Sequence, residues 1–395
     1  MRNLLTAFIL ILSTATGLAQ NTVKGVIKDI YTSENIGLVT VSTQDLQHNT
    51  ISNSDGVFKL EYPEGTKSIV LNYLGYAILE VNLSGLPADG IYYLEPKSYE
   101  LEEIVMTNVP INEFVDKLRK NSFEKLNAPF LLNTYYREFV KINDRYTKFS
   151  DALIDYNVIK KKDEVKSEVV VKQSRAVKLD VENEEEIDMT SPLDLRKATT
   201  RDCNFSVLEH VFGKKEYKKY SFIIKSQGNK NGQTTQTIFI EPLESIEEPL
   251  YAGTLSFDPD KNLILSIDIH MAESHKKHSK LRNFLIVKAR LDDISYKSFY
   301  KITGDNYMLS YSCTGGDVYL KNKKKYDDHI IFKSDLLVTN FSNDLTSFDK
   351  KEKYKEKGLY QRGNKYTDEF WLKNNSIQLT AQEEEIIKSL TAAKP

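Results

Sequence analysis

Between residues 22 and 96, apolar and polar positions alternate in short runs broken by turn-forming residues. The runs are TVKGVIKDI, GLVTVSTQD, TISNSDGVFKLEYP, KSIVLNYLGYAILEVNL and GIYYLEP. Alternation of this kind predicts short strands, each with one apolar and one polar face. It assigns Val23, Val26 and their neighbours to one face. Asp55-Gly56 between two strand-like runs predicts a hairpin turn, because such a turn needs positive φ. Gly75 in LNYLGY suits a bulge or a tight bend. Roughly seventy-five residues of short strands and frequent turns predict a small antiparallel β-sandwich.

The period changes at NVPINEFVDKLRKNSFEKL. Ile111, Phe114, Val115, Leu118 and Phe123 recur at helical spacing, and Pro110 suits a first turn. An amphipathic helix is therefore expected between two domains. LLNTYYREFVKINDRYTKFSDALIDYNVI then predicts a hairpin turning at Asn143-Asp144, followed by an exposed strand in KKKDEVKSEVVVKQSRAV. SPLDLRKATTRDCNFSVLEHVFG looks partly helical. Beyond it, strand patterns dominate, from YKKYSFIIKSQ through QTTQTIFIEP, YAGTLSFDP and NLILSIDIHMAES to DHIIFKSDLLVTNF. Turns are expected at Asp258–Asn262, at Gly304-Asp305-Asn306 and at Gly315-Gly316. A short helix closes the chain in TAQEEEIIKSL, where Thr380 and Glu383 have capping-box spacing. The expected fold class is mainly β. A small antiparallel sandwich precedes a larger antiparallel curved sheet or half-barrel with a few helices.

Three stretches of the first run carry a family resemblance: VKGVIKD, GLVTVSTQDLQHNTISNSDGVFKL and VLNYLGY. Together they resemble the carboxypeptidase regulatory-like domain, a prealbumin-like β-sandwich also found at the N-terminus of many TonB-dependent outer-membrane transporters. The resemblance implies fold and envelope location. It implies no peptidase activity, since that module accompanies catalytic domains and carries no catalytic residues. In the transporters a segment like LEEIVM (residues 101–106) leads into a plug and a barrel. The remainder here is too short for both, and its C-terminus is polar and helical rather than an aromatic-ended strand, so a transporter is not expected. YAGTLSFD and NLILSIDI are similar to the curved sheet of lipoprotein-carrier proteins, which hold acyl chains on a concave face. Shared shape would not by itself establish a shared ligand.

The leader refines the picture. MRNLLTAFILILSTATGLAQ has Arg2, an apolar run from Leu4 to Leu12 and small residues ending at Ala19. This is the pattern of a secretory signal peptide, and no Cys stands near the cut to take a lipoprotein anchor. Expected domains are a signal peptide at 1–20, the regulatory-like sandwich at 21–97, a linker with its helix at 98–130, and a β-rich domain at 131–395. The mature chain is expected to be exported, to the periplasm or associated with the outer membrane, without a transmembrane segment. Composition agrees with β structure, with 23 Tyr against one Trp and 40% hydrophobic residues. A net charge of −2 with both signs interspersed argues against a nucleic-acid partner. Cys203 and Cys313 are the only cysteines, and an oxidising compartment would allow them either to pair or to stay free.

Candidate chemistry centres on ILSIDIHMAESHKKHSK, which holds His270, His275 and His278. His270 and Glu273 have the H-x-x-E spacing that supplies two zinc ligands in carboxypeptidases. On a strand, however, side chains three apart point to opposite faces. Lys276, Lys277 and Lys280 also crowd the other two histidines. Ser122–Lys125 and Ser274–Lys277 match S-x-x-K without its companion motifs. Glu184, Glu185 and Glu186 lie in a solvated acidic run, and lysines in KKEYKK, KNKKK and KKEKYKEK guard strand edges. No catalytic, cofactor or metal residue is assigned, and no cofactor is expected. The pattern points to a non-catalytic envelope binding or scaffold protein, with an envelope protein or an apolar acyl ligand as partner. The alternative is an exported hydrolase whose site is assembled only in the fold.

Overall fold

The computed structural model describes residues 20–73, 75–96, 103–105, 109–178, 193–228, 234–284, 287–303, 305–322, 327–345, 349–362 and 376–392. Residues 1–19 of the leader, the acidic run Glu184–Glu186, Gly304 and most of KNKKK lie outside the described residues. The chain divides into two compact units. One is Met1–Pro96 with Thr367–Thr380, and the other is Lys97–Tyr366 with Ala381–Pro395.

The small unit contains strands β1 (Gln20–Asp29), β2 (Thr40–Thr43), β3 (Asn49–Ile51), β4 (Val57–Pro63), β5 (Ser68–Asn72), β6 (Leu79–Asn82) and β7 (Ile91–Leu94). They form two sheets, in the orders β4-β1-β7 and β3-β2-β5-β6. All pairs are antiparallel except β1 with β7, which run parallel. Val23, Ile27, Val41, Phe58, Leu71 and Tyr92 fill the space between the sheets. Val26 does not join them and is only half-buried. Residues of opposite parity on a strand face opposite ways, so Val23 pairs in direction with Ile27. The turn at Asp55-Gly56 is also present, with Gly56 at φ +75°. The Asn53 side chain accepts from the backbone N–H of Asp55 and Val57 at 3.0 and 2.9 Å. It does not make a hairpin, because β3 and β4 belong to different sheets and the turn carries the chain between them. Ser376–Thr380 groups with this unit, where Thr50 Oγ1 donates to the Ser376 carbonyl at 3.2 Å.

The large unit is built on one sheet of twelve strands. They are β8 (Glu103–Val105), β9 (Phe130–Ile142), β10 (Arg145–Lys161), β11 (Glu164–Lys178), β12 (Tyr220–Gly228), β13 (Thr234–Pro242), β14 (Tyr251–Asp258), β15 (Leu263–Met271), β16 (Arg282–Phe284), β17 (Val287–Thr303), β18 (Asn306–Lys321) and β19 (Asp327–Ser342). Their order is β11-β10-β9-β19-β18-β17-β15-β14-β13-β12-β8, with β16 beside β17. The sheet is antiparallel and unclosed, ending in β11 and β8 among the described residues. Register shifts interrupt the β10–β11, β9–β10, β14–β15, β17–β18 and β9–β19 ladders. Each adds a residue to one strand and increases local bend and twist.

Helices α1 (Ile111–Lys125), α2 (Ala198–Cys203) and α3 (Glu209–Phe212) supply the apolar cover of one face of this sheet. Val115 and Leu118 of α1 are buried among Leu255, Ile264 and Ile267 of the sheet. Ser122 accepts from the Ile264 N–H at 2.9 Å. The helix expected in a linker is thus a core element, because its apolar stripe is too large to leave in water. Helix α4 (Ala381–Ala392) lies against β10 and β11.

Gly315-Gly316 is not a turn but lies inside β18. A Cβ on Gly316 would stand 2.7 Å from the Phe332 ring and 2.9 Å from the Asp293 carbonyl. The glycines therefore admit an aromatic ring against the strand rather than reverse the chain. The segment KKKDEVKSEVVVKQSRAV likewise departs from expectation. It forms the edge strand β11, yet Val165, Val169 and Val171 face the core.

Leu118→Ala should lower stability by about 2–5 kcal/mol, because the cavity opens between helix and sheet. Urea unfolding followed by circular dichroism measures it. A loss under about 1 kcal/mol would place α1 outside the core.

Candidate functional site

Among its described residues the small unit exposes Ile30, Tyr31, Ile78, Leu86 and Tyr93, the first two where β1 ends beside β7. The Ile30 N–H donates to the Leu94 carbonyl at 3.0 Å, and the Tyr31 hydroxyl donates to Glu95 at 3.0 Å. On the other side of this segment the Ala77 N–H donates to the Glu95 carbonyl at 2.8 Å. Asp29 organises the corner, accepting from the backbone N–H of Tyr31 and Thr32 and from the Tyr76 hydroxyl. The Thr32 N–H outweighs partial desolvation and, with Tyr76 and Tyr31, holds the Asp29 carboxyl below its ordinary range. Ile30, Tyr31, Ile78 and Tyr93 are thereby presented outward, with Tyr31 72% exposed. Clustered tyrosines and aliphatic side chains of this kind are what protein interfaces enrich.

On its covered face the large sheet carries a packed core. Phe205, Leu208, Val211 and Phe212 pack with Tyr156, Ile238, Ile240 and Tyr300, and all are buried. One polar inset interrupts this core. Arg201 holds Asp202 through two nitrogens at 3.0 and 3.1 Å, and Ser298 and Ser312 complete the group. The Arg201 guanidinium lies over the Tyr296 ring, and His210 stacks between Tyr296 and Tyr251. Burial lowers the His210 pKa against the pull of Glu209 and Glu216.

The opposite face carries a row of directly paired charges. Register sets Arg175 against Asp151, Asp151 against Arg137, Arg137 against Asp335, Asp335 against Cys313, Cys313 against Lys297, and Lys297 against Asp268. Signs alternate along the row. Ion pairs close it at 2.5 Å (Arg175–Asp151), 2.8 Å (Arg137–Asp335) and 2.8 Å (Lys297–Asp268). Tyr135 donates to Asp151 at 3.1 Å and Tyr311 to Asp335 at 2.5 Å. Glu383 of α4 accepts from Arg137 at 3.1 Å. Burial pushes the Asp335 carboxyl up, but Arg137, Lys333 and Tyr311 more than offset it, and the net pKa is lowered. For Asp151 burial prevails over Arg175 and the pKa is raised.

Among the described residues, the histidines that the sequence singles out do not gather into a metal-ligand group. His270 is exposed on β15, paired in register with Ala252 and Ser295. Glu273 begins a 3₁₀ turn and binds Lys276 at 2.8 Å. His275, expected in a polar loop, is buried at 2% exposure and its two ring nitrogens contact Ser274 and the Leu243 carbonyl. Its ring lies 5.7 Å from that of His278. Ser122 is buried on the sheet side of α1 while Lys125, at its end, is exposed. Cys203 and Cys313 are free. Burial pushes the Cys313 thiol up to about 12 and the Cys203 thiol higher still, which makes both poor nucleophiles. Sequence reasoning passed over Asp292, Asp317 and His329, which the fold gathers from three strands with ligand atoms within 4.8 Å of one another. No local spacing links them. Among the described residues no helix is long and apolar enough to cross a membrane, which says nothing of strands.

Residues 23–106 match the family model of the CarboxypepD_reg-like domain. The match covers the small unit's strands and reaches β8, so the small sandwich is a regulatory-type rather than a catalytic domain. No curated protein matches the chain. Among solved structures, the chain is similar to one reported as "Lipid-protein interactions in lipovitellin". The identity is 8%, with 65% of this chain and 29% of that one covered, at a TM-score of 0.23. The chain thus spans under a third of that protein's length, and so low a score supports no argument about fold or ligand.

The charge row has a pH signature. Asp335 has a folded pKa below its unfolded value, so its stabilising effect is full above about pH 4 and is lost as pH falls toward the folded value. Asp335→Asn should cost about 3–5 kcal/mol at neutral pH by leaving Arg137 short of its partner. It should also flatten the fall in stability below about pH 4. Urea unfolding across a pH series reads both, and an unchanged acid slope would exclude Asp335 as its source.

Proposed function

We propose that this protein is a non-catalytic binding or scaffold protein of the cell envelope, with the small β-sandwich as its protein-contact module. The observation that carries this reading is the exposed corner of Ile30, Tyr31, Ile78 and Tyr93 on a domain of regulatory type. Solvent-facing Tyr31, held by Asp29 and Glu95, gives a partner a large contact area at small loss of side-chain freedom. The large sheet serves as the rigid body of the protein. Helices α1, α2 and α3 pack on one of its faces and share its core. Export to the periplasm or to the outer membrane's surface follows from the leader's arginine, apolar run and small residues.

The test is site-specific photocrosslinking in the organism of origin, with the photoreactive residue placed at Tyr93 or, as control, at Gly65 in a turn. A discrete adduct with an envelope protein from position 93, absent from position 65, is the expected result. No adduct at either position, together with stoichiometric lipid on the purified chain in native mass spectrometry, would overturn the reading in favour of an acyl carrier.

A further inference from the structure

We propose that Asp292, Asp317 and His329 form a surface site for a first-row divalent cation, zinc above all. The three residues come from neighbouring strands β17, β18 and β19. Their meeting depends on a β-bulge. Leu291 pairs with Val318 and Asp293 with Asp317, which leaves Asp292 as the extra residue between them. In a bulge of this kind two successive side chains turn to one side. That brings Asp292 onto the face that Asp317 and His329 occupy.

The donor spacing suits a small cation. His329 Nδ1 stands 3.2 Å from Asp317 Oδ1 and 3.6 Å from Asp292 Oδ2. Tetrahedral zinc with bonds of about 2.0–2.1 Å has ligand–ligand edges of about 3.3–3.4 Å. Both distances from His329 thus lie within a few tenths of an ångström of that geometry, and the two carboxylates offer oxygens within 4.8 Å of each other. One imidazole with two carboxylates favours zinc or manganese over calcium, whose sites are built of oxygens. Metal at Nδ1 replaces the hydrogen bond to Asp317 and leaves the ring proton on Nε2.

The surroundings already orient these ligands. Arg290 grips Asp292 with Nε on Oδ1 and Nη2 on Oδ2, the latter at 3.0 Å. The Tyr319 ring packs 5.0 Å from the His329 ring, and the Arg290 guanidinium lies 5.0 Å over Tyr319. Partners that hold a ligand's far side in this way fix its direction toward the metal. The neighbouring Lys321 is engaged by Asp327 at 3.4 Å, and Lys276 by Glu273 and Asp293. Two carboxylates against one guanidinium leave the cluster net negative. The half-buried position leaves one side open to solvent or to a ligand atom from a partner.

Isothermal titration with zinc chloride on the untagged full chain tests the site. One zinc per chain is expected. Binding should weaken at least about tenfold in His329→Gln and in Asp317→Asn, and should be unchanged in His278→Ala. Circular dichroism of each variant checks that the fold is kept, and cobalt(II) substitution should give the visible absorption of a tetrahedral nitrogen–oxygen site in the parent chain only. Absence of binding heat, retention of full affinity in His329→Gln, or loss in His278→Ala instead would overturn the assignment.

Discussion

The large unit depends on the pairing of β9 with β19. Without that ladder the chain would hold two separate sheets, β11-β10-β9 from one half and β19 through β8 from the other. Its partners lie far apart in sequence, so closing it carries a substantial loop entropy. At its centre Arg137 faces Asp335, with Tyr311 and Glu383 completing the group. Slipping the register by one residue would turn a guanidinium into the apolar core and strand a buried carboxylate. The pair is weak as a source of net stability, since both ions are desolvated. Its effect is on choice: only one alignment of the two halves leaves no charge unanswered.

That alignment decides what each face of the sheet is for. One face takes α1, α2 and α3 and becomes a closed core. The other carries alternating charges from β11 to β15, partly roofed by α4 through the same Arg137. The apolar side of the strands is met by the chain's own helices. Exposed apolar side chains occur on both units, and on the small one Asp29 and Glu95 hold the most exposed of them, Tyr31. That corner and the large sheet belong to different units, each with its own core.

Much of the architecture was legible in short windows. The helical spacing of Ile111, Val115 and Leu118 located α1, and Asn143-Asp144 located the β9–β10 turn, with Asn143 at φ +52°. These signals are local: periodicity and turn chemistry act within one element. Gly315-Gly316 misled because a glycine pair reads as a turn, whereas its cause was the Phe332 ring on the next strand. Asp55-Gly56 did give a turn, but the sheets to which its flanking strands belong are set by distant pairings. Val26 was an error of parity rather than of missing information.

Chemistry was less legible than architecture. Of the histidines close together in sequence, His270 is exposed at the end of β15, whereas His275 and His278 share one 3₁₀ turn with His275 buried. His329 met two carboxylates only because a bulge rotated Asp292 onto its face. By itself the sequence determined element types, the sandwich domain and the absence of strong local catalytic motifs, since these rest on neighbours along the chain. Tertiary structure alone decided which faces are covered, which charges are paired and which ligand atoms meet, because strand order and register bring together residues that no local pattern connects.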